Sequence, residues 1–365
     1  MVGNYSRAPL AKQPAGNEFV SSTMLGIATR WRVIEPAGYR IISGGHLAAY
    51  GLSINNCCFE FNPKADWVVS AHGRYTRIRD LSSGRLIDEI DTGIHPRDEV
   101  AMVALQEEGK KLIRTSVVTG VWRHPITQTP EGPRIGAGER LDAEPNFMMT
   151  DHSRDGRRIA MVSAFVKGNE EVRILEVTDQ GIKTLSRWKA PSAYFAALNA
   201  DGTQVLVNCA KTGSSSSNAF VRVHRVSDGS VIRTLDAPIS CDAAWSPNGN
   251  VALTSAGQTT SILWDTTTWQ PRATLKGELG GDVTTFTLSP DGSEAVVCVD
   301  RRVALVSTAD GSVLGSFESP KSGGNPAGVR YLPDGKRFAI LWHDGRLDIC
   351  DPPAIRAAAS ALGIQ

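Results

Sequence analysis

The sequence predicts an all-β fold of repeated four-stranded units, a β-propeller, on three observations. A Pro-Asp-Gly-type turn recurs along the chain, its spacing is 43 to 49 residues, and short apolar segments flank each copy. Four short strands per unit at that period is the pattern of propeller blades, in which each sheet buries its faces only against its neighbours.

The clearest turns are Ser289-Pro290-Asp291-Gly292, Leu332-Pro333-Asp334-Gly335 and Ser246-Pro247-Asn248-Gly249. Weaker copies are Asn199-Ala200-Asp201-Gly202, Ser153-Arg154-Asp155-Gly156 and Gln106-Glu107-Glu108-Gly109, and degraded ones are Asn62-Pro63-Lys64-Ala65 and Gln13-Pro14-Ala15-Gly16. Pro presets φ, Asp or Asn bonds its own backbone, and Gly supplies a positive φ. A second turn recurs within the units, as at Leu81-Ser82-Ser83-Gly84, Val226-Ser227-Asp228-Gly229 and Thr308-Ala309-Asp310-Gly311. Each unit therefore reads strand, turn, strand, link, strand, turn, strand.

Eight turns predict eight four-stranded units over residues 1–351, followed by a short helix over 352–365. Seven blades are the alternative. The last unit has three evident strands, AGVRY, RFAILW and RLDIC, and Tyr39 to Ser43 (YRIIS) could complete it. Eight is preferred because EFVSST and ATRWRVIE, upstream of YRIIS, would otherwise leave exposed edges. At the other end, Asp351 can cap a helix begun by Pro352.

Bulk properties narrow the function classes. Lys+Arg is 39 against Asp+Glu 38, a formal net charge of +1. That balance argues against a chain that coats nucleic acid or an anionic membrane. No apolar run approaches a transmembrane span, no signal-peptide core opens the chain, and no C-x-x-C pair occurs among the cysteines, so the expected setting is a reducing cytoplasm.

These repeats resemble the WD-repeat family. Trp264-Asp265 in TTSILWDTTTW has the family's third-strand ending, and Arg79-Asp80 and Cys350-Asp351 stand as substitutes. Asp300 and Asp344 match its acidic turn between second and third strands, and Gly45-His46 is the one candidate for its Gly-His pair. The tail, Pro352-Pro353-Ala354-Ile355-Arg356 onward, looks like the closing segment of bacterial members. There the propeller often accompanies a Ser/Thr kinase or another signalling domain. A regular repeat with no catalytic constellation points to a non-catalytic protein-binding scaffold with protein partners and no cofactor, and the resemblance implies a link to bacterial signalling.

Residues that could carry chemistry read mainly as structural. The seven histidines form no local zinc pattern, and no phosphate loop or nucleophile elbow occurs. Ser186 and Lys189 fit S-x-x-K, but in an expected outer strand. Trp67, Trp245, Trp264 and Trp342 are expected in the core and Trp269 on the surface. The serine run within 211–218 is expected to be a loop. The links entering each first strand supply the candidate binding residues His46, Tyr50, His95, Arg97, Asp98, Arg140 and Glu144, because loops on a rigid scaffold carry function. Two further readings stay open: a metal-dependent, lactonase-like propeller hydrolase with a channel site, and the C-terminal portion of a larger signalling protein.

Overall fold

The computed structural model describes residues 11–12, 18–22, 28–32, 39–42 and 59–354, except for 73–74, 92–99, 164–169, 211–218, 236–240, 257–259, 277–282, 300–301, 319–325 and 343–345. Two compact units are distinguished, one of residues 1–40 with 350–365 and one of residues 41–349.

Antiparallel sheets form a seven-bladed propeller. Blades 1 to 7 span residues 59–91, 100–142, 147–189, 196–235, 241–276, 283–318 and 326–350, the last completed by Tyr39–Ile42. The expected turn positions hold in all seven. The preferred count of eight does not. Tyr39–Ile42 is the fourth strand of the last blade, and so is unavailable to a blade of its own. The strands upstream of it are real, but they form a separate three-stranded sheet, Ala11–Lys12, Glu18–Ser22 and Ala28–Arg32. Glu18–Ser22 pairs along its whole length with Ala28–Arg32. The strands that favoured eight units thus pair with one another rather than within a blade.

Alternation within the strands decides how the blades pack. One face of blade 4 (Phe195, Leu206, Val223) meets blade 5 (Ala252, Trp264) in a single buried cluster. The same pairing joins blades 1 and 2, 2 and 3, 3 and 4, and 5 and 6. Phe59, Phe61 and Val68 of blade 1 share a cluster with Leu332, Leu341 and Leu347 of blade 7, which closes the ring. Burial of this kind is worth roughly 25 cal/mol per Å² of apolar surface, so the interfaces between blades are the core.

The repeated turn contributes directly to these interfaces. Gly156 has φ +67°, and a Cβ there would lie 2.3 Å from the Leu105 carbonyl oxygen of blade 2. Glycine is required at that point by the backbone and by the neighbouring blade. Asp155 Oδ1 accepts from the Ser153 hydroxyl and the Arg157 N–H, the bonding expected of an Asp in this turn.

Blade 2 departs from the repeat. Its third strand is the long Gly120–Thr129, whose end pairs with Gly132–Ile135 while its beginning pairs with Glu139–Asp142. The resulting hairpin lies against blade 1: Ile126 and Ile135 pack in the cluster that holds Ile87, and the Ile135 N–H donates to Asp88 Oδ2 at 2.7 Å.

The expected tryptophan core is present, with Trp67, Trp264 and Trp342 buried and Trp245 partly so. Trp269 is a correction. It is only 9% exposed, because its ring packs edge-on against Trp245 at 5.3 Å. At the tail, residues 352–354 are helical and Asp351 Oδ1 accepts the Ala354 N–H at 3.0 Å, the expected cap. Residues 355–365 lie outside the described residues. No described helix is long and apolar enough to cross a membrane.

Candidate functional site at the channel mouth

The first strand of every blade faces the centre of the ring and runs into the repeated turn. Strand registers align Glu60, Ala104, Asp151, Ala197, Ala244, Thr287 and Arg330 at one position of the repeat. Four blades place Ala or Thr there, which is what packing alone requires. Blades 1, 3 and 7 place ionisable groups instead. The next position is occupied by Phe61, Leu105, Leu198, Trp245, Leu288 and Tyr331 in six blades, and by His152 in blade 3.

These exceptions meet. Glu60 Oε2 accepts from His152 Nε2 at 3.0 Å and pairs with the Arg330 guanidinium, so one carboxylate ties blade 1 to blades 3 and 7. Glu60 Oε1 also accepts the Phe61 N–H at 3.2 Å. His152 Nδ1 lies 2.9 Å from the Ser153 carbonyl oxygen. Asp151 Oδ2 accepts the Leu198 N–H of blade 4 at 2.9 Å. The side chains of Glu60 and His152 are 16% and 8% exposed, so their charges sit largely out of water.

Burial sets the electrostatics of this cluster, and its partners then correct it. Burial pushes the Glu60 carboxyl up, but the Arg330 and His152 cations outweigh it and hold the group below the usual carboxylate range. For His152 burial opposes the charged ring, and the bond to Glu60 outweighs it, so its pKa is raised. Burial pushes the Asp151 carboxyl above the usual range, and the His152 and Arg330 cations and the Leu198 N–H offset it only in part. Burial also lowers the pKa of His124 and His224, and the neighbouring Arg114 and Arg222 guanidinium groups act in the same direction.

Glu60 and His152 line a cavity of about 580 Å³ at the end of the ring that carries the repeated turns. Blade 2 contributes Glu107 and Glu108, blade 3 Arg154 and Arg157, and blade 4 Ala200 and Asp201. That volume lies within the range of ordinary ligand pockets. Glu107 and Glu108 hold φ of 48° and 55°, left-handed values for non-glycine residues. Strained backbone of this kind tends to collect at functional sites, and here it forms part of the cavity wall.

The residues expected from the sequence fare differently. His46, Tyr50, His95, Arg97 and Asp98 lie outside the described residues, as do Asp300, Asp344 and the 211–218 run. Arg140 is a correction: it stands in the strand Glu139–Asp142 rather than in a loop, paired across to Trp122. Its Nε donates to the Thr119 carbonyl at 2.8 Å. Glu144 pairs with Arg173 at 2.9 Å and Arg187 at 2.8 Å. Neither borders the cavity, and both belong to the opposite end of the ring, where second strands turn into third strands. Ser186 donates to the Val226 carbonyl at 2.6 Å and Lys189 pairs with Glu171 at 2.8 Å, so the S-x-x-K match is absorbed by packing.

Among the described residues no group of three or more His, Cys, Asp or Glu is placed to share a metal ion. Burial pushes the Cys209 thiol up to about 11 and raises Cys298 further, away from nucleophilic thiolates. No protein-family model matches the chain, and comparison with curated proteins finds no significant relative.

Proposed function

We propose that this protein is a non-catalytic, protein-binding propeller of divergent WD-repeat type, working in the cytoplasm, and that it recognises its partner at the channel mouth bordered by the turns of blades 1 to 4. The observation that carries the reading is the break in repeat symmetry. Charged residues replace Ala or Thr at one repeat position in three blades, and two of them converge with His152 beside a cavity. A packing role alone does not call for ions at that position, since four blades manage without them. The WD-type assignment draws support from Trp264, whose indole donates to Thr254 Oγ1 at 2.8 Å across the two middle strands of blade 5. That bond is one leg of the set found in well-kept repeats. Work beside a bacterial signalling kinase is the finer form of this proposal.

A channel enzyme is the second reading, favoured by the meeting of His152 and Glu60 at one mouth. The two are separated by pull-down from host lysate with mass spectrometry, using wild type, a rim double variant Glu108→Arg/Arg154→Glu, and Arg140→Ala from the opposite end. A partner that the rim variant loses and Arg140→Ala keeps supports recognition at the mouth. A partner indifferent to the rim variant, or a stoichiometric bound ion with turnover of a lactone, overturns it.

A further inference from the structure

A neutral imidazole carries a proton on one ring nitrogen only. In His152 both nitrogens face oxygens, Nδ1 the Ser153 carbonyl at 2.9 Å and Nε2 the Glu60 carboxylate at 3.0 Å. A carbonyl oxygen has no proton to give, so Nδ1 must donate. Glu60 is paired through the same Oε2 with Arg330, which holds it ionised, so Nε2 must donate as well. Only the imidazolium satisfies both contacts. In a neutral ring one nitrogen turns a lone pair toward an oxygen lone pair, whichever tautomer forms.

We propose that the channel mouth is proton-locked: protonated His152 braces blade 3 to blade 1 through Glu60, and loss of that proton releases the brace and reshapes the cavity the two residues line. This regulation rests on the reading of the cavity as the recognition site, while the lock itself is a property of the unliganded chain. Glu60 of blade 1 favours the imidazolium, as does Asp151 on its own strand, and Arg330 of blade 7 opposes it. At the cavity rim the other charged groups are Glu107 and Glu108 of blade 2, Arg154, Asp155 and Arg157 of blade 3, and Asp201 of blade 4. The folded pKa of His152 lies above its ordinary 6.5. The brace is therefore complete below that value and is lost as pH rises through the raised one.

The test is a nitrogen-15 NMR titration of the histidine rings in the full chain without partner. Ring signals are assigned by their loss in His152→Gln, or in His152→Phe if His152→Gln does not fold. The expected result is a His152 ring protonated on both nitrogens at pH 6.5 whose midpoint lies above 6.5, with its proton affinity lowered several-fold by Glu60→Gln. A midpoint at or below 6.5, or one unmoved by Glu60→Gln, overturns the lock. Because no partner is present, a failed pull-down leaves this result standing. A partner captured at the rim by a chain with an ordinary His152 titration keeps the recognition site and discards its regulation.

Discussion

Replacing Gly156 and Gly249 by alanine, one at a time, separates what a turn glycine does for its own blade from what it does for the next. Both have positive φ, +67° and +78°, so alanine at either position costs about 1 to 2 kcal/mol of backbone strain. At Gly249 nothing lies within 4 Å of the added Cβ, and the cost ends there. At Gly156 the new methyl would sit 2.3 Å from the Leu105 carbonyl oxygen, which forces the blade 3 turn away from blade 2. That movement also strains the Gln106 Nε2 bond to the Gly156 carbonyl, 2.8 Å long and buried, worth about 1 kcal/mol. With the lost packing, Gly156→Ala is expected to destabilise by about 3 to 4 kcal/mol and Gly249→Ala by about 1 to 2. Urea unfolding followed by tryptophan fluorescence and circular dichroism reads both as midpoint shifts. Equal shifts for the two variants would refute the claim that the blade 3 turn is seated on blade 2.

Four further perturbations probe other parts of the ring. Asp348→Ala removes the carboxylate that lies 3.1 Å from the buried Arg346 guanidinium and accepts the Trp342 indole N–H in blade 7, and should cost about 3 to 5 kcal/mol in the same unfolding assay. Trp264→Phe removes the donor to the buried Thr254 hydroxyl and should cost about 1 to 3 kcal/mol, while a Thr254→Val/Trp264→Phe double variant should recover part of it. Cys209 and Cys298 should resist alkylation at pH 8 in the folded chain and react on unfolding, as peptide mapping would record. His124 and His224 have lowered pKa values, so their contribution is present above 6.5 and is lost as pH falls through the folded values; the midpoint of wild type should drop more steeply than that of His124→Phe between pH 6.5 and 5.

Much of the fold was legible because the repeated turn is a local chemical device. Asp155 or Asp291 bonds its own turn and Gly156 or Gly292 takes a positive φ whatever lies around them, so these residues announce themselves in sequence. The blade count was not legible in the same way, because YRIIS has the same alternation whether it starts a blade or finishes one. Only its pairing with the last blade decides, and that is a contact across nearly the whole chain. The split fourth strand of blade 2 was hidden for a similar reason: Glu139–Asp142 has a polar, loop-like composition and becomes a strand through its pairing with Val121, Trp122 and Arg123. The cluster at the channel mouth lay in plain view but needed the repeats read in columns. Glu60, Asp151 and Arg330 look ordinary along the chain and are exceptional only against Ala104, Ala197, Ala244 and Thr287.

The most direct test of recognition at the channel mouth is site-specific photo-crosslinking within one blade. A photoreactive residue is placed at Ala200, beside the cavity, or at Thr234, exposed on the outer strand of the same blade. Each protein is irradiated in host lysate, with and without excess unlabelled wild type. The account predicts one reproducible protein adduct from position 200 that the competitor removes and that position 234 does not form. No competable adduct at 200, or the same adduct from 234, would contradict it.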